Sequence, residues 1–116
     1  MNERAIGING LNVTKVKDEI KFNGVHEFKV EDRDTGNMLL EVKYQCGARK
    51  DSNSTRGVLD LDLLYIVKER LKTFQNGEFA CKENEMALLK VEEAIMWQNK
   101  RTQDREERGV LGTYSI

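Results

Sequence analysis

The chain has no proline, one histidine and two cysteines among its 116 residues. Without proline, no helix or strand has to accommodate a residue that lacks a backbone N–H. Cys46 and Cys81 are far apart in sequence and have neither a Cys-x-x-Cys partner nor a histidine at ligand spacing, which argues against a zinc site. We therefore expect reduced thiols that serve in packing, no bound metal and no cofactor.

The chain also has little net charge, no long apolar run and few aromatic residues. Its 19 lysines and arginines nearly balance its 20 acidic residues, so there is no global attraction to nucleic acid or to an acidic membrane. No stretch approaches the roughly 20 apolar residues of a membrane span, and no basic segment followed by an apolar one begins the chain. Because only 7% of the residues are aromatic, such a chain can gain from burying surface against copies of itself. We expect a soluble, unsecreted protein.

Motifs for catalysis are absent as well. There is no Gly-x-Gly-x-x-Gly, Walker-type loop, His-Glu-x-x-His or Gly-x-Ser-x-Gly. The single histidine, His26, falls on a predicted strand near a turn, where a surface role is favoured. Asp60 and Asp62, like Glu92 and Glu93, have spacings that are ordinary for helix surfaces. We predict that the protein is not an enzyme.

Residues 4–47 show short apolar alternation broken by turn signals, which predicts an antiparallel meander. Asn23-Gly24 and Asp34-Thr35-Gly36-Asn37 supply the turn chemistry. The apolar positions of the predicted strands are, in chain order, Leu11 to Val16, Ile20 and Phe22, Phe28 and Val30, and Leu40, Val42 and Tyr44.

Residues 48–58 are rich in turn formers and predict a loop, and residues 59–109 predict a helical hairpin. The first helix spans Leu59 to Gln75. The second runs from near Lys82 to Arg108, with Gly109 as a left-handed cap, and is roughly 40 Å long. The prediction is one α+β domain, residues 1–116, in which an N-terminal β-meander precedes the hairpin and 110–116 form a short tail.

Arginines line one side of the second predicted helix near its end. Arg101, Arg105 and Arg108 are spaced by four and three residues, so their guanidinium groups project from one face. One interpretation is a solvated face on which neighbouring carboxylates neutralise them. The other is a phosphate clamp, because guanidinium binds phosphate through paired hydrogen bonds.

Phe74 and Asn84 flank the turn between the two predicted helices. Phe74 alone is more typical of a core residue, but an aromatic face beside an amide can also hold a purine. Asn84 and Arg101 are ~25 Å apart along the helix, too far for one nucleotide. Two copies packed antiparallel would bring the aromatic end of one against the arginines of the other, which predicts a composite pocket and an obligate oligomer.

The helical half resembles the phage Thoeris anti-defence family of signal sponges, and it is also similar to the related anti-CBASS sponges that capture cyclic nucleotides. The resemblance covers about half of the chain. It rests on Phe74-Gln75, Phe79 to Asn84, Leu88 to Trp97, and the ending Arg101-Thr102-Gln103-Asp104-Arg105-Glu106-Glu107-Arg108-Gly109-Val110-Leu111-Gly112-Thr113.

The resemblance implies a protein that binds cyclic ADP-ribose-type messengers, such as glycocyclic ADP-ribose, made by a TIR-domain enzyme, and sequesters them without cleavage. It further implies action in the host bacterial cytoplasm during infection, dimers that assemble into a hexamer as a trimer of dimers, and a second site for cyclic di- or trinucleotides. The ligand residues it implies are Phe74, Asn84, Arg101 and Arg105. Additional candidates are Arg49 at the second site, Gln98, Arg108 and Thr113.

Two other functions remain open at this point. A nucleic-acid-binding module would use the same arginines and would lose affinity steeply with salt; the near-zero net charge argues against it. A structural phage protein would use the long helix for assembly and the arginines for ion pairs between subunits.

Overall fold

A computed structural model describes residues 2–116 of the chain. The backbone divides into two compact units, a sheet unit that ends at Val58 and a helical unit that spans Leu59–Ile116. The α+β class and the order of strands before helices are confirmed. The single-domain assignment stays a prediction.

The sheet unit is a four-stranded antiparallel meander in chain order. Its strands are β1 (Glu3–Ile8), β2 (Asn12–Lys17), β3 (Glu27–Asp32) and β4 (Met38–Lys43). Short polar side chains make two of the turns: the Asn9 side-chain oxygen accepts the N–H groups of Leu11 and Asn12 at 2.8 and 2.7 Å. Before β4, the Asp32 carboxylate accepts the N–H groups of Asp34 and Thr35 at 2.8 and 3.0 Å. These bonds explain why turn-forming residues in the sequence predicted where the strands begin and end.

One predicted strand is wrong. Ile20 and Phe22 lie in the connection between β2 and β3, where Lys21 and Gly24 form a single bridge rather than a ladder. Phe22 and Asn23 both have positive φ, 46° and 67°, so the tight turn begins one residue before Asn23-Gly24. The chain therefore reverses where the apolar alternation predicted an extended strand.

The two faces of the sheet differ in chemistry. Val16 pairs with Phe28, and Phe28 pairs with Val42, so these side chains share one face; Val16 is 1% exposed and Val42 8%. The other face carries lysines and glutamates in ion pairs, namely Lys15–Glu31 at 2.7 Å, Lys29–Glu3 at 2.8 Å and Lys17–Glu27 at 3.0 Å. The strand alternation thus separates a small core from a charged surface.

The end of the loop after β4 is hydrogen-bonded to the backbone at the end of that strand. Val58 donates its N–H to the Lys43 carbonyl at 3.0 Å, and Gln45 donates its own to the Val58 carbonyl at 2.9 Å. Gly57 lies so close to the strand that a Cβ there would come within 2.5 Å of the Lys43 oxygen. Residues 48–58 contain no helix or strand, and backbone hydrogen bonds hold the end of this segment against β4.

The helical unit is a hairpin of α1 (Asp60–Gln75) and α2 (Lys82–Glu107), within one residue of the predicted boundaries. At the turn, the Gln75 amide donates to the Cys81 carbonyl and accepts from the Cys81 N–H, both at 3.0 Å. At the far end, Gly109 has φ +71°, and the N–H of Val110 reaches back to the Arg105 carbonyl at 3.0 Å. This is the predicted glycine cap in its Schellman form.

The helical unit has almost no core of its own. No residue of α1 is buried, and α2 buries only Ile95 and Arg105. Trp97 is 56% exposed, so it does not fill a core here. The large exposed apolar side chains on α2 are Met86, Leu89, Met96 and Trp97, which share one side of the helix at ~100° per residue. No helix in residues 2–116 combines the length and the apolar character that crossing a membrane would need.

Candidate functional site

An open groove lies beside the turn of the hairpin. We call it the aromatic groove; its volume is about 290 Å³, and it is lined by Ile66, Val67, Arg70, Leu71, Phe74 and Asn84. Phe74 is the penultimate residue of α1 and Asn84 the third of α2, and the Gln75 bonds to Cys81 hold the two helix ends together. The structure therefore places Phe74 and Asn84 in one groove, while their role in binding stays a prediction.

The polar and aromatic groups of this groove are available to a ligand. Asn84 is half-buried, and its amide makes no hydrogen bond with any residue of the described chain. Phe74 meets the ring of Phe79 edge-on, with centroids 6.5 Å apart. The guanidinium carbon of Arg70 lies 4.8 Å from the centroid of the Phe74 ring. An aromatic ring, an unpaired amide and a cation thus converge.

A second cavity lies at the other end of α2. We call it the arginine pocket; its volume is about 400 Å³, and it is lined by Arg101, Asp104, Arg105, Arg108, Thr113, Tyr114, Ser115 and Ile116. The glycine cap at Gly109 turns the chain back, so that the tail forms one wall of the pocket. The three arginines predicted as a stripe do lie together, but they are not equivalent.

Two of these arginines are engaged by the chain itself. Arg105 is 9% exposed, and one of its terminal nitrogens donates to the carbonyls of Val110 and Thr113, both at 3.1 Å. Arg108 donates to the Asp104 carboxylate at 3.0 Å and to the Ile116 carbonyl at 2.8 Å. The interpretation of the stripe as an ion-pair face therefore holds for Arg108, while Arg105 holds the tail.

Arg101 is the lining arginine that has no partner among the described residues. It is exposed, and no hydrogen bond or ion pair joins its guanidinium to residues 2–116. Thr113 uses its hydroxyl to donate to the Val110 carbonyl at 2.5 Å. Of the residues predicted at this end, Arg101 is thus the one whose polar groups are wholly open to an anion.

The remaining candidates lie elsewhere. Gln98 is a half-buried residue of α2 whose backbone carbonyl accepts the Thr102 hydroxyl at 3.1 Å. Arg49 belongs to the loop of the sheet unit, where its Nε donates to the Gln45 side-chain oxygen at 2.9 Å. Within residues 2–116, no group of three or more histidine, cysteine or acidic side chains is arranged to hold a metal ion.

Sequence reasoning missed Arg70. Its signal is the four-residue spacing from Phe74, which puts a cation and a ring on the same side of a helix. It also missed that Arg105 is buried, which depends on the path of the tail after Gly109. The spacing of arginines along a helix does not reveal which of them the chain will cover.

Two comparisons place the chain among known proteins. Residues 37–103 match the family described as Acb2/Tad1, hairpin domain. The chain is also 39% identical over 121 aligned positions to "Thoeris anti-defense 1" of Bacillus phage SBSphiJ7, and the alignment covers 84% of each chain. The family match includes Phe74, Asn84 and Arg101, and it ends before Arg105.

Proposed function

The chain belongs to the Acb2/Tad1 family of phage anti-defence proteins, and on that premise we propose that it captures a cyclic ADP-ribose-type immune messenger and holds it without cleavage. The messenger would be one made by a TIR-domain enzyme, such as glycocyclic ADP-ribose, and capture would take place in the cytoplasm of the infected bacterium. The observation that carries the proposal is the pair of complementary grooves on the hairpin, one aromatic and one cationic.

Each groove suits one part of such a messenger. A purine stacks on an aromatic ring with about 1–3 kcal/mol per base, and the Phe74 ring with the unpaired Asn84 amide offers that platform and a polar contact. The two phosphates need charge-assisted hydrogen bonds, which the unengaged guanidinium of Arg101 provides. A ligand with both a base and phosphates uses both grooves.

The two grooves become one pocket when two copies pair. Within one chain, Asn84 and Arg101 are separated by 17 residues of helix, ~25 Å, which exceeds the reach of one nucleotide. Two copies whose α2 helices run antiparallel would bring each aromatic groove to a partner's arginine pocket. The dimer would hold two such pockets, and further assembly into a hexamer is part of this proposal.

The size of the grooves supports this pairing. Pockets for small ligands usually have volumes of about 300–1,000 Å³ and bury most of the ligand. The aromatic groove, at about 290 Å³, lies at the lower limit, and the arginine pocket, at about 400 Å³, is not much larger. Two halves that close on each other would enclose a messenger that neither could bury alone.

The residues that line the two grooves support binding without turnover. Neither groove is lined by a histidine, and the one carboxylate among the lining residues, Asp104, is paired with Arg108. A group poised to move a proton is therefore missing from the lining. Sequestration by enclosure requires only affinity and a slow release.

The test is recovery of the ligand. The protein is incubated with glycocyclic ADP-ribose, separated from free ligand, and denatured. We expect one intact messenger per pocket to be released, with cyclic di- and trinucleotides run as parallel ligands. An altered product would contradict sequestration, and no binding of any messenger would favour a protein that serves in assembly alone.

The variant Arg101→Gln supplies the structural control. Because the Arg101 guanidinium forms no hydrogen bond or ion pair with another described residue, the substitution should leave the fold unchanged and weaken messenger binding by at least about tenfold. Lys90→Gln on the same helix removes an equal charge from a residue paired with Glu93, and it should bind as the unchanged protein does. Equal affinity of the two variants would contradict the role given to Arg101.

A further inference from the structure

We propose that Arg70 is a further ligand-binding residue, which contacts the phosphates of the messenger while it remains stacked on Phe74. This inference rests on the proposed function and extends its site. The helical unit contains four arginines. Arg105 and Arg108 donate to carbonyls or to a carboxylate of their own chain, whereas no hydrogen bond or ion pair engages the guanidinium of Arg70 or Arg101 in the described chain.

The position of Arg70 connects it to the aromatic groove. Arg70 lines that groove, and it also lines a neighbouring cavity of about 400 Å³ with Phe74 and Phe79. Phe74 therefore forms a wall between two cavities, and the Arg70 guanidinium, 4.8 Å from its ring centroid, covers one ring face. The base of a ligand is left with the opposite face.

Stacking leaves the hydrogen-bonding capacity of Arg70 intact. A guanidinium is planar, and its five N–H donors lie in that plane, so a group resting over an aromatic ring can still donate sideways. Glu78 lines the neighbouring cavity but makes no ion pair with Arg70. The cation is thus fixed beside the base platform with its donors unused.

In the composite pocket, Arg101 of one copy and Arg70 of the other would bind the messenger from two sides. Arg101 approaches the messenger from the arginine pocket of one copy, and Arg70 approaches from the aromatic groove of the other. A pyrophosphate carries acceptors on two phosphorus centres, which suits one guanidinium on each side. This arrangement leaves Arg105 to hold the tail rather than to bind ligand directly.

The experiment measures the affinity for glycocyclic ADP-ribose by calorimetry with Arg70→Gln, Arg70→Lys and Lys72→Gln. Lys72 is the matched control, because it lies two residues along the same helix and so projects from roughly the opposite side. We expect Arg70→Gln to lose at least about tenfold in affinity, Arg70→Lys to lose less because it keeps the charge, and Lys72→Gln to be unchanged.

Ionic strength separates a phosphate contact from an effect on the Phe74 ring. Since salt screens the attraction between charges, the loss caused by Arg70→Gln should be larger at low than at high ionic strength. A loss that is the same at all ionic strengths would overturn the phosphate contact. If Arg70→Gln binds as Lys72→Gln does while Arg101→Gln is impaired, the inference fails and the proposed function stands; if the unchanged protein does not bind, both fail.

Discussion

The arginines of the helical unit have the same charge but different contacts. Arg105 is buried and donates to two tail carbonyls, and Arg108 pairs with a carboxylate. Arg101 and Arg70 form no hydrogen bond or ion pair in the described chain, although Arg70 rests over the Phe74 ring. A buried charged donor stabilises the fold only through its acceptors, whereas an exposed unpaired one contributes little to stability. At the residue scale, Arg105 therefore supports structure and Arg101 is available for binding.

This difference predicts opposite effects on stability. Arg105→Gln should lower the free energy of unfolding by about 1–3 kcal/mol, because the Val110 and Thr113 carbonyls lose a charged donor. Arg101→Gln should change it by less than about 0.5 kcal/mol. Urea unfolding followed by circular dichroism measures both. Equal destabilisation by the two substitutions would contradict the structural role of Arg105.

At the scale of elements, local chemistry determined most of what the sequence predicted correctly. α1 begins where the Leu59 N–H donates to the Asp62 carboxylate, and α2 ends at the left-handed Gly109; such signals can be read from sequence. The Phe22–Asn23 turn was missed, because Asn-Gly is the commoner pair for that geometry and a phenylalanine rarely adopts positive φ. The aromatic groove was predicted from adjacency across the helix turn, but the ring contact of Arg70 depends on side-chain packing.

The charged face of the sheet predicts how stability depends on pH. Lys15 donates to the Glu31 carboxylate and holds its pKa below the ordinary 4.5, and Lys17 lowers the pKa of Glu19 in the same way. These carboxylates bind protons less readily folded than unfolded. Their contribution to the free energy of unfolding is present above pH 4.5 and is lost as the pH falls through the lowered pKa values.

The lysines on this face set the alkaline limit. A hydrogen bond from Lys17 to Glu27 raises the pKa of Lys17 above the ordinary 10.5, and Glu3 does the same for Lys29. Their contribution to the free energy of unfolding is complete below pH 10.5 and is lost as the pH rises through the raised pKa values.

We therefore expect the melting temperature to be nearly constant at intermediate pH and to fall on both sides. Thermal unfolding followed by circular dichroism across this range measures the profile. In Glu31→Gln the fall in melting temperature at acidic pH should be smaller, since the substitution removes one of the carboxylates whose protonation opposes folding. If the melting temperature of that variant fell at acidic pH as steeply as that of the unchanged protein, the Glu31 ion pairs would not contribute to stability.

At the scale of the whole molecule, the balance of charge and the sparse core of the helical unit are compatible with the proposed pairing of copies. The formal net charge of -1 leaves no long-range repulsion between copies, and the apolar side of α2 is left exposed by its own chain. The sequence predicts an oligomer from its composition and from the length of α2, and this stays a prediction. The partner itself cannot be read from one chain, because that apolar side would serve any apolar surface of matching shape.

The central claim is that each pocket takes its aromatic groove from one copy and its free arginine from another. Mixing Phe74→Ala with Arg101→Gln tests it, because each variant alone spoils every pocket, while a mixed dimer keeps one intact. After the two proteins are unfolded together and refolded, random pairing should restore about one quarter of the wild-type number of pockets, counted by calorimetric titration with glycocyclic ADP-ribose. Mixed dimers that form, as native mass spectrometry would verify, yet bind no more messenger than either variant alone would contradict the account.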